Sequence, residues 1–109
     1  MAKILRQLIE GLQGELTGNE EVSITGIAFH SKKVEPGFLF AAIKGEHTDG
    51  HNFLAEAWER GAVACLVEKP HSIPFPASFR VPSVRFALGW VSRNFYDNPM
   101  AQVLSVAVT

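Results

Sequence analysis

Cysteine is nearly missing from this sequence: Cys65 is the only one in 109 residues. An internal disulfide is therefore excluded, as is a thiolate cage for zinc or an iron–sulfur cluster. A surplus of one charge is missing too. Ten basic and eleven acidic residues leave a formal net charge of -1, and the basic ones are scattered, so the electrostatic footprint of a nucleic-acid binder is absent. No apolar run approaches the ~20 residues that span a bilayer. Around Lys3 and Arg6 apolar and polar residues alternate, which is not the continuous core of a signal peptide. The expectation is a soluble, cytoplasmic protein with neither nucleic acid nor membrane as a partner.

Signatures of chemistry are scarce as well. The sequence has no GxGxxG element, no GxxxxGK[ST] phosphate loop, no Ser/His/Asp order and no evident acid–base pair. Composition and spacing alone describe a binding fold without catalytic residues of its own.

What is present is apolar material: 47% of residues are hydrophobic, enough for one modest core, so residues 1–109 read as a single domain. Ile4, Leu5, Leu8, Ile9 and Leu12 recur at helical spacing, predicting a helix from Lys3 to about Gln13, with Gly14 near its end. Thr17-Gly18-Asn19 reads as a break. Val22 to Phe29 is a predicted strand in which Gly26 marks a bulge or a close backbone approach.

Glu35-Pro36-Gly37 is a turn, proline presetting φ and glycine accepting the positive φ of a type II turn. Phe38 to Ile43 and Ala62 to Val67 are short and wholly apolar, as strands covered on both faces are. A helix is expected between them, from Gly50 or His51 to Arg60, with Phe53, Leu54, Ala57 and Trp58 inward and Gly61 as its cap. That order is a βαβ crossover, so the sheet is partly parallel. Cys65, inside the second run, reads as a packing residue.

A proline-rich connection from His71 to Pro76 leads to a short strand at Phe79-Arg80-Val81. Ser83 then caps a helix to about Tyr96, striped by Val84, Leu88, Val91 and Phe95. Val103 to Thr109 reads as a buried strand that stops without a cap, the pattern expected of a chain cut before a further domain. The fold class is α/β: a small mixed sheet, partly parallel, flanked by helices.

Polar groups gather where the strands should end. Ser31 follows the strand ending at Phe29 and is either a ligand contact or an ordinary turn serine; Lys32 and Lys33 are either phosphate contacts or a solvated pair. His47, Asp49 and His51 alternate as metal ligands can, but no second carboxylate or cysteine completes a shell. Asp49 is better placed to cap the coming helix, whose N-terminus suits an anion.

The segment from Ile24 to Gly45, continued by Thr48-Asp49-Gly50-His51-Asn52-Phe53 and Gly61-Ala62-Val63-Ala64, closely resembles the N-terminal domain of Mur ligases. Within that family it is most similar to the enzymes that add the third peptide residue to UDP-N-acetylmuramoyl-L-alanyl-D-glutamate in peptidoglycan synthesis. The resemblance implies a module that holds the uridine diphosphate end of that substrate. The central ATPase domain and the C-terminal domain would lie outside residues 1–109, and with them ATP, Mg2+ and carboxylate activation as an acyl phosphate.

Carried across by position, the implied substrate contacts are Phe29, Ser31, Glu46, His47 and Thr48, with no catalytic residue, no metal ligand and no cofactor among these residues. Departures from the family pattern are His30 for an aspartate and Lys32 for an arginine, which removes a carboxylate–guanidinium brace at this turn, and Phe38 where an aspartate often stands. The alternatives are the ligase that adds D-alanyl-D-alanine, and a free-standing nucleotide-binding or interaction module.

Overall fold

The computed structural model describes residues 2–45 and 48–96. Five strands, β2 (Glu15–Gly18), β4 (Gly26–Ala28), β5 (Phe38–Ala41), β6 (Ala64–Val67) and β7 (Ala77–Arg80), form one sheet in the order β2-β7-β6-β5-β4. Neighbours from β4 to β7 are parallel, and β2 closes the far edge antiparallel to β7. A separate antiparallel pair joins β1 (Lys3–Ile4) to β3 (Ser23–Ile24). The predicted mixed, partly parallel sheet is what forms.

Alternation along the wholly apolar strands supplies two cores at once. Leu39, Ala41, Ala64 and Leu66 face helices α1 (Leu5–Ile9) and α3 (Val84–Tyr96), while Phe40, Ala42, Cys65 and Val67 face helix α2 (Leu54–Glu59). Successive side chains of a strand point to opposite faces, so a run such as Phe38-Leu39-Phe40-Ala41 belongs between two layers. Phe40, 1% exposed, represents roughly 2–3 kcal/mol of burial by itself. The connection from β5 through α2 to β6 is the predicted crossover.

Helix α3 begins as the sequence implies. Ser83 Oγ accepts from the Phe86 amide at 3.2 Å, and Glu68 Oε2 accepts from the Val84 amide at 2.9 Å. Val84, Ala87, Val91 and Phe95 are its buried stripe, with Leu88 at the margin. Gly61 adopts φ 104 at the end of α2, and Gly37 φ 90 in the turn whose Phe38 amide bonds Glu35 O at 3.1 Å.

Four sequence expectations need correction. The first helix covers only Leu5–Ile9, because Lys3 and Ile4 pair with β3 and the amides of Leu5 and Arg6 bond Val22 O and Glu20 O. Its C-terminal carbonyls are taken by α3: Asn94 Nδ2 donates to Leu8 O and Trp90 Nε1 to Glu10 O, both at 2.8 Å. Secondly, Thr17 and Gly18 belong to strand β2, not to a break; Glu15–Gly18 pairs with Ala77–Arg80, and Glu15 forms an ion pair with Arg80.

Thirdly, the strand expected over Val22–Phe29 is split at Thr25, whose amide bonds Gly37 O at 2.9 Å, so β3 serves the small sheet and β4 the large one. Lastly, Phe53 and Trp58 are 37% and 43% exposed, leaving Leu54 and Ala57 to bury α2. Residues 50–53 form a 3-10 turn ahead of that helix. The strand predicted at Val103–Thr109 lies outside the described residues.

Candidate functional site

Parallel β4 and β5 end side by side, and the chain leaves them in two polar loops. Ala28 is paired with Phe40, so Phe29-His30-Ser31 departs next to Ala42-Ile43-Lys44. Between the loops lies a cleft of about 430 Å³. Its apolar lining comes from Phe29, Ile43 and Phe53, and its polar lining includes Ser31, Lys32 and Thr48. Ligands of open α/β sheets sit outside the carboxyl ends of strands, where amides and side chains converge.

Three of the five predicted contacts, Phe29, Ser31 and Thr48, therefore line one cavity. Glu46 and His47 lie outside the described residues. Phe29 is 52% exposed, its ring 4.8 Å from the His30 imidazole. Ser31 is buried at the head of a 3-10 turn and donates its hydroxyl proton to Glu56 Oε1 at 2.8 Å. Lys32 and Lys33 are exposed beside it.

Glu56 is a residue the sequence reading missed. It faces Ser31 from α2, and its second oxygen lies 3.4 Å from Arg60 Nε. The Ser31 hydroxyl above all, with Arg60 assisting, holds the Glu56 carboxyl below the usual glutamate range. A carboxylate–guanidinium pair thus stands near this turn after all, supplied by the helix. The i, i+4 spacing of Glu56 and Arg60 was the available signal.

The other rim is pinned by Asp49. Its Oδ1 accepts from the His51 amide at 3.0 Å and from His51 Nδ1 at 2.6 Å, and its Oδ2 accepts from Lys69 Nζ at 2.9 Å. These donors, the His51 amide first, hold the carboxyl far below the ordinary aspartate range. The predicted cap is therefore real. His51 Nε2 accepts in turn from the Glu68 amide at 3.0 Å, which fixes the proton on Nδ1 and ties the loop to the end of β6. Gly45 N bonds Thr48 O at 2.7 Å, and Gly50 N bonds Ile43 O at 2.8 Å. Asp49 and His51 are thus spent on each other, and among the described residues no group of three His, Cys, Asp or Glu side chains is placed to hold a metal ion.

A second cluster looks catalytic and is not. His71 Nε2 is 2.6 Å from Ser78 Oγ, beside Cys65 Sγ at 3.0 Å from the same hydroxyl. His71 Nδ1, however, accepts from the Ile73 amide at 3.0 Å, so Nε2 carries the proton and donates to Ser78. It cannot serve as that hydroxyl's base. Burial pushes the Cys65 thiol up to about 12, against the weaker pull of Ser78, which leaves it an inert packing group.

Residues 23–105 match the family described as "Mur ligase family, catalytic domain". The chain belongs to the Mur ligase family. It is 36% identical over 106 residues to the UDP-N-acetylmuramoyl-L-alanyl-D-glutamate--2,6-diaminopimelate ligase of Caldanaerobacter subterraneus, covering 96% of this chain and 22% of that protein. It is 43% identical over 89 residues to the UDP-N-acetylmuramyl-tripeptide synthetase of Roseiflexus sp., covering 79% of this chain and 17% of that one. Among solved Mur ligases, MurF from Acinetobacter baumannii superposes with a TM-score of 0.75 at 30% identity, over 86% of this chain and 21% of MurF.

The chain thus spans about a fifth of the length of the curated relatives it matches. No described helix is long and apolar enough to cross a membrane. Residues 1–109 do not fit ATP and Mg2+: they contain no GxxxxGK[ST] loop, and among the described residues the carboxylates near the cleft, Glu56 and Asp49, are engaged by Ser31, Arg60, His51 and Lys69.

Proposed function

We propose that this chain is the substrate-recognition domain, N-terminal in the whole enzyme, of an ATP-dependent ligase that adds the third residue to UDP-N-acetylmuramoyl-L-alanyl-D-glutamate, and that its cleft holds the uridine diphosphate end. The observation that carries the reading is the convergence of Phe29, Ser31 and Thr48 at the carboxyl ends of β4 and β5. Phe29 and Phe53 offer apolar walls to a base, the Ser31 and Thr48 hydroxyls offer directional bonds, and Lys32 and Lys33 offer charge to phosphates. Glu46 and His47 complete the proposed contacts. Relatives named for this substrate cover nearly the whole chain.

ATP and Mg2+ belong, in this reading, to the central domain of the longer enzyme. A MurF from Thermotoga maritima, 34% identical over 62% of this chain, is known in complex with ADP. The role of the present residues is to bind and orient, and the bond-forming step is assigned elsewhere. A second reading, the ligase that adds D-alanyl-D-alanine, draws on the resemblance to the Acinetobacter structures. Assaying the full-length gene product with a diamino acid and with D-alanyl-D-alanine separates the two.

For the cleft itself the test is a titration of the chain with UDP while amide resonances are followed. Shifts at Phe29, Ser31 and Thr48 are expected, and Ser31→Ala should weaken binding by about 1 kcal/mol, the usual value of one neutral hydrogen bond. Amides near Ser31 and Thr48 that stay still at millimolar UDP would remove the proposal.

A further inference from the structure

We infer that Glu56 is a positioning residue that turns the Ser31 hydroxyl into an acceptor toward the cleft, and so selects a base carrying a ring N–H, uracil over cytosine. The inference rests on the proposal that the cleft holds a pyrimidine nucleotide and adds a specificity determinant to it.

A serine hydroxyl has one proton to give and two lone pairs, whereas a carboxylate can only accept. The 2.8 Å contact between Ser31 Oγ and Glu56 Oε1 therefore consumes the proton. Ser31 is only 8% exposed and the Glu56 side chain 34% exposed, so the contact is part-buried, shielded from solvent on the hydroxyl side. Arg60 at the second carboxylate oxygen helps keep Glu56 ionised and in place. What Ser31 still presents to the cleft it lines is a lone pair.

The six-membered rings of UDP and CDP differ at N3 and at position 4. Uracil carries N3–H between two carbonyl oxygens, and that N–H can donate to the Ser31 lone pair. Cytosine has a bare N3 with its own lone pair, which meets the serine oxygen repulsively. A freely rotating hydroxyl could reverse its proton and serve either base. One whose proton is held by Glu56 cannot, and a site left with a mismatched polar group rejects the analogue.

The experiment is titration of the chain with UDP and with CDP by calorimetry, for wild type, Glu56→Ala, Glu56→Gln and Ser31→Ala, with each fold checked by its amide spectrum. Wild type should prefer UDP by about tenfold, a modest value for a site open to water. Glu56→Ala releases the proton and should bring the two affinities within about twofold. Glu56→Gln should keep most of the preference, because its amide oxygen still accepts from Ser31. Ser31→Ala should lose the preference, which tests the same bond without altering α2.

A wild type that binds neither nucleotide overturns the nucleotide reading and this inference with it. A wild type that prefers UDP, with the preference intact in Glu56→Ala or in Ser31→Ala, leaves the nucleotide reading standing and overturns the inference alone.

Discussion

Replacing Asp49 by alanine should cost about 2 kcal/mol at neutral pH, and that cost should shrink as the pH falls below the ordinary aspartate range. Asp49 caps the turn that opens at Gly50 through the His51 amide, and a lost cap acceptor is worth ~1 kcal/mol. The contact to His51 Nδ1 at 2.6 Å lies on a ring that is only 7% exposed, and a part-buried hydrogen bond adds about 1 kcal/mol. Lys69 contributes least. Its side chain is 58% exposed, so this ion pair is worth no more than ~0.5 kcal/mol.

The sign of the pH dependence follows from the depressed carboxyl. Unfolded Asp49 takes up a proton near 3.8, while the folded group resists protonation until well below that value. The unfolded state then binds more protons, so stability falls as pH drops through this window, and the full contribution is present above it. Urea unfolding of wild type, Asp49→Ala and Asp49→Asn, at about pH 7 and about pH 3, measures this. Asparagine keeps a capping oxygen and loses the charge, so it should cost about half as much. A difference under about 0.5 kcal/mol for Asp49→Ala at pH 7, or one equally large at pH 3, would refute the account.

Two further outcomes follow from the packing. Cys65, fully buried with its thiol pushed up to about 12, should not react with a disulfide reagent at mildly alkaline pH in the native protein, and should react at once in denaturant. Gly26→Val should destabilise the domain by about 1–3 kcal/mol in urea, because even a Cβ at this position would run into the Phe38 ring; coupling it with Phe38→Ala should recover part of the loss.

The elements with a strong period were legible in the sequence. The two apolar runs became β5 and β6, Ser83 capped α3, and Gly37 and Gly61 took the positive φ that their turn and cap required. What escaped was set by partners distant along the chain. The short first helix owes its end to Trp90 and Asn94, and β2 exists because Ala77–Arg80 offers it an edge. Glu15-Leu16-Thr17-Gly18, with one apolar side chain and a closing glycine, carries no strand signal alone. In the cleft, Phe29, Ser31 and Thr48 came from a resemblance, whereas Glu56 sat unremarked on a helix face: its i, i+4 spacing to Arg60 announces the pair but not the loop that face will meet.

The two rims of the cleft share one physical device. On each, a carboxylate is pinned by donors from this chain: Glu56 by Ser31 and Arg60, Asp49 by His51 and Lys69. Negative charge close to a site proposed to take phosphates would repel such a ligand, yet both carboxylates are already engaged and partly neutralised by donors of this chain. Each turns its charge to orienting a neighbour, the hydroxyl of Ser31 in one case and the ring of His51 in the other. His51 then reaches the Glu68 amide, and the Glu68 carboxylate accepts from the first amide of α3, so the loop bearing Thr48 is anchored to an element of the opposite layer. The cleft is thus held open by bonds internal to the domain, and a ligand entering it need not supply the ordering energy for its walls.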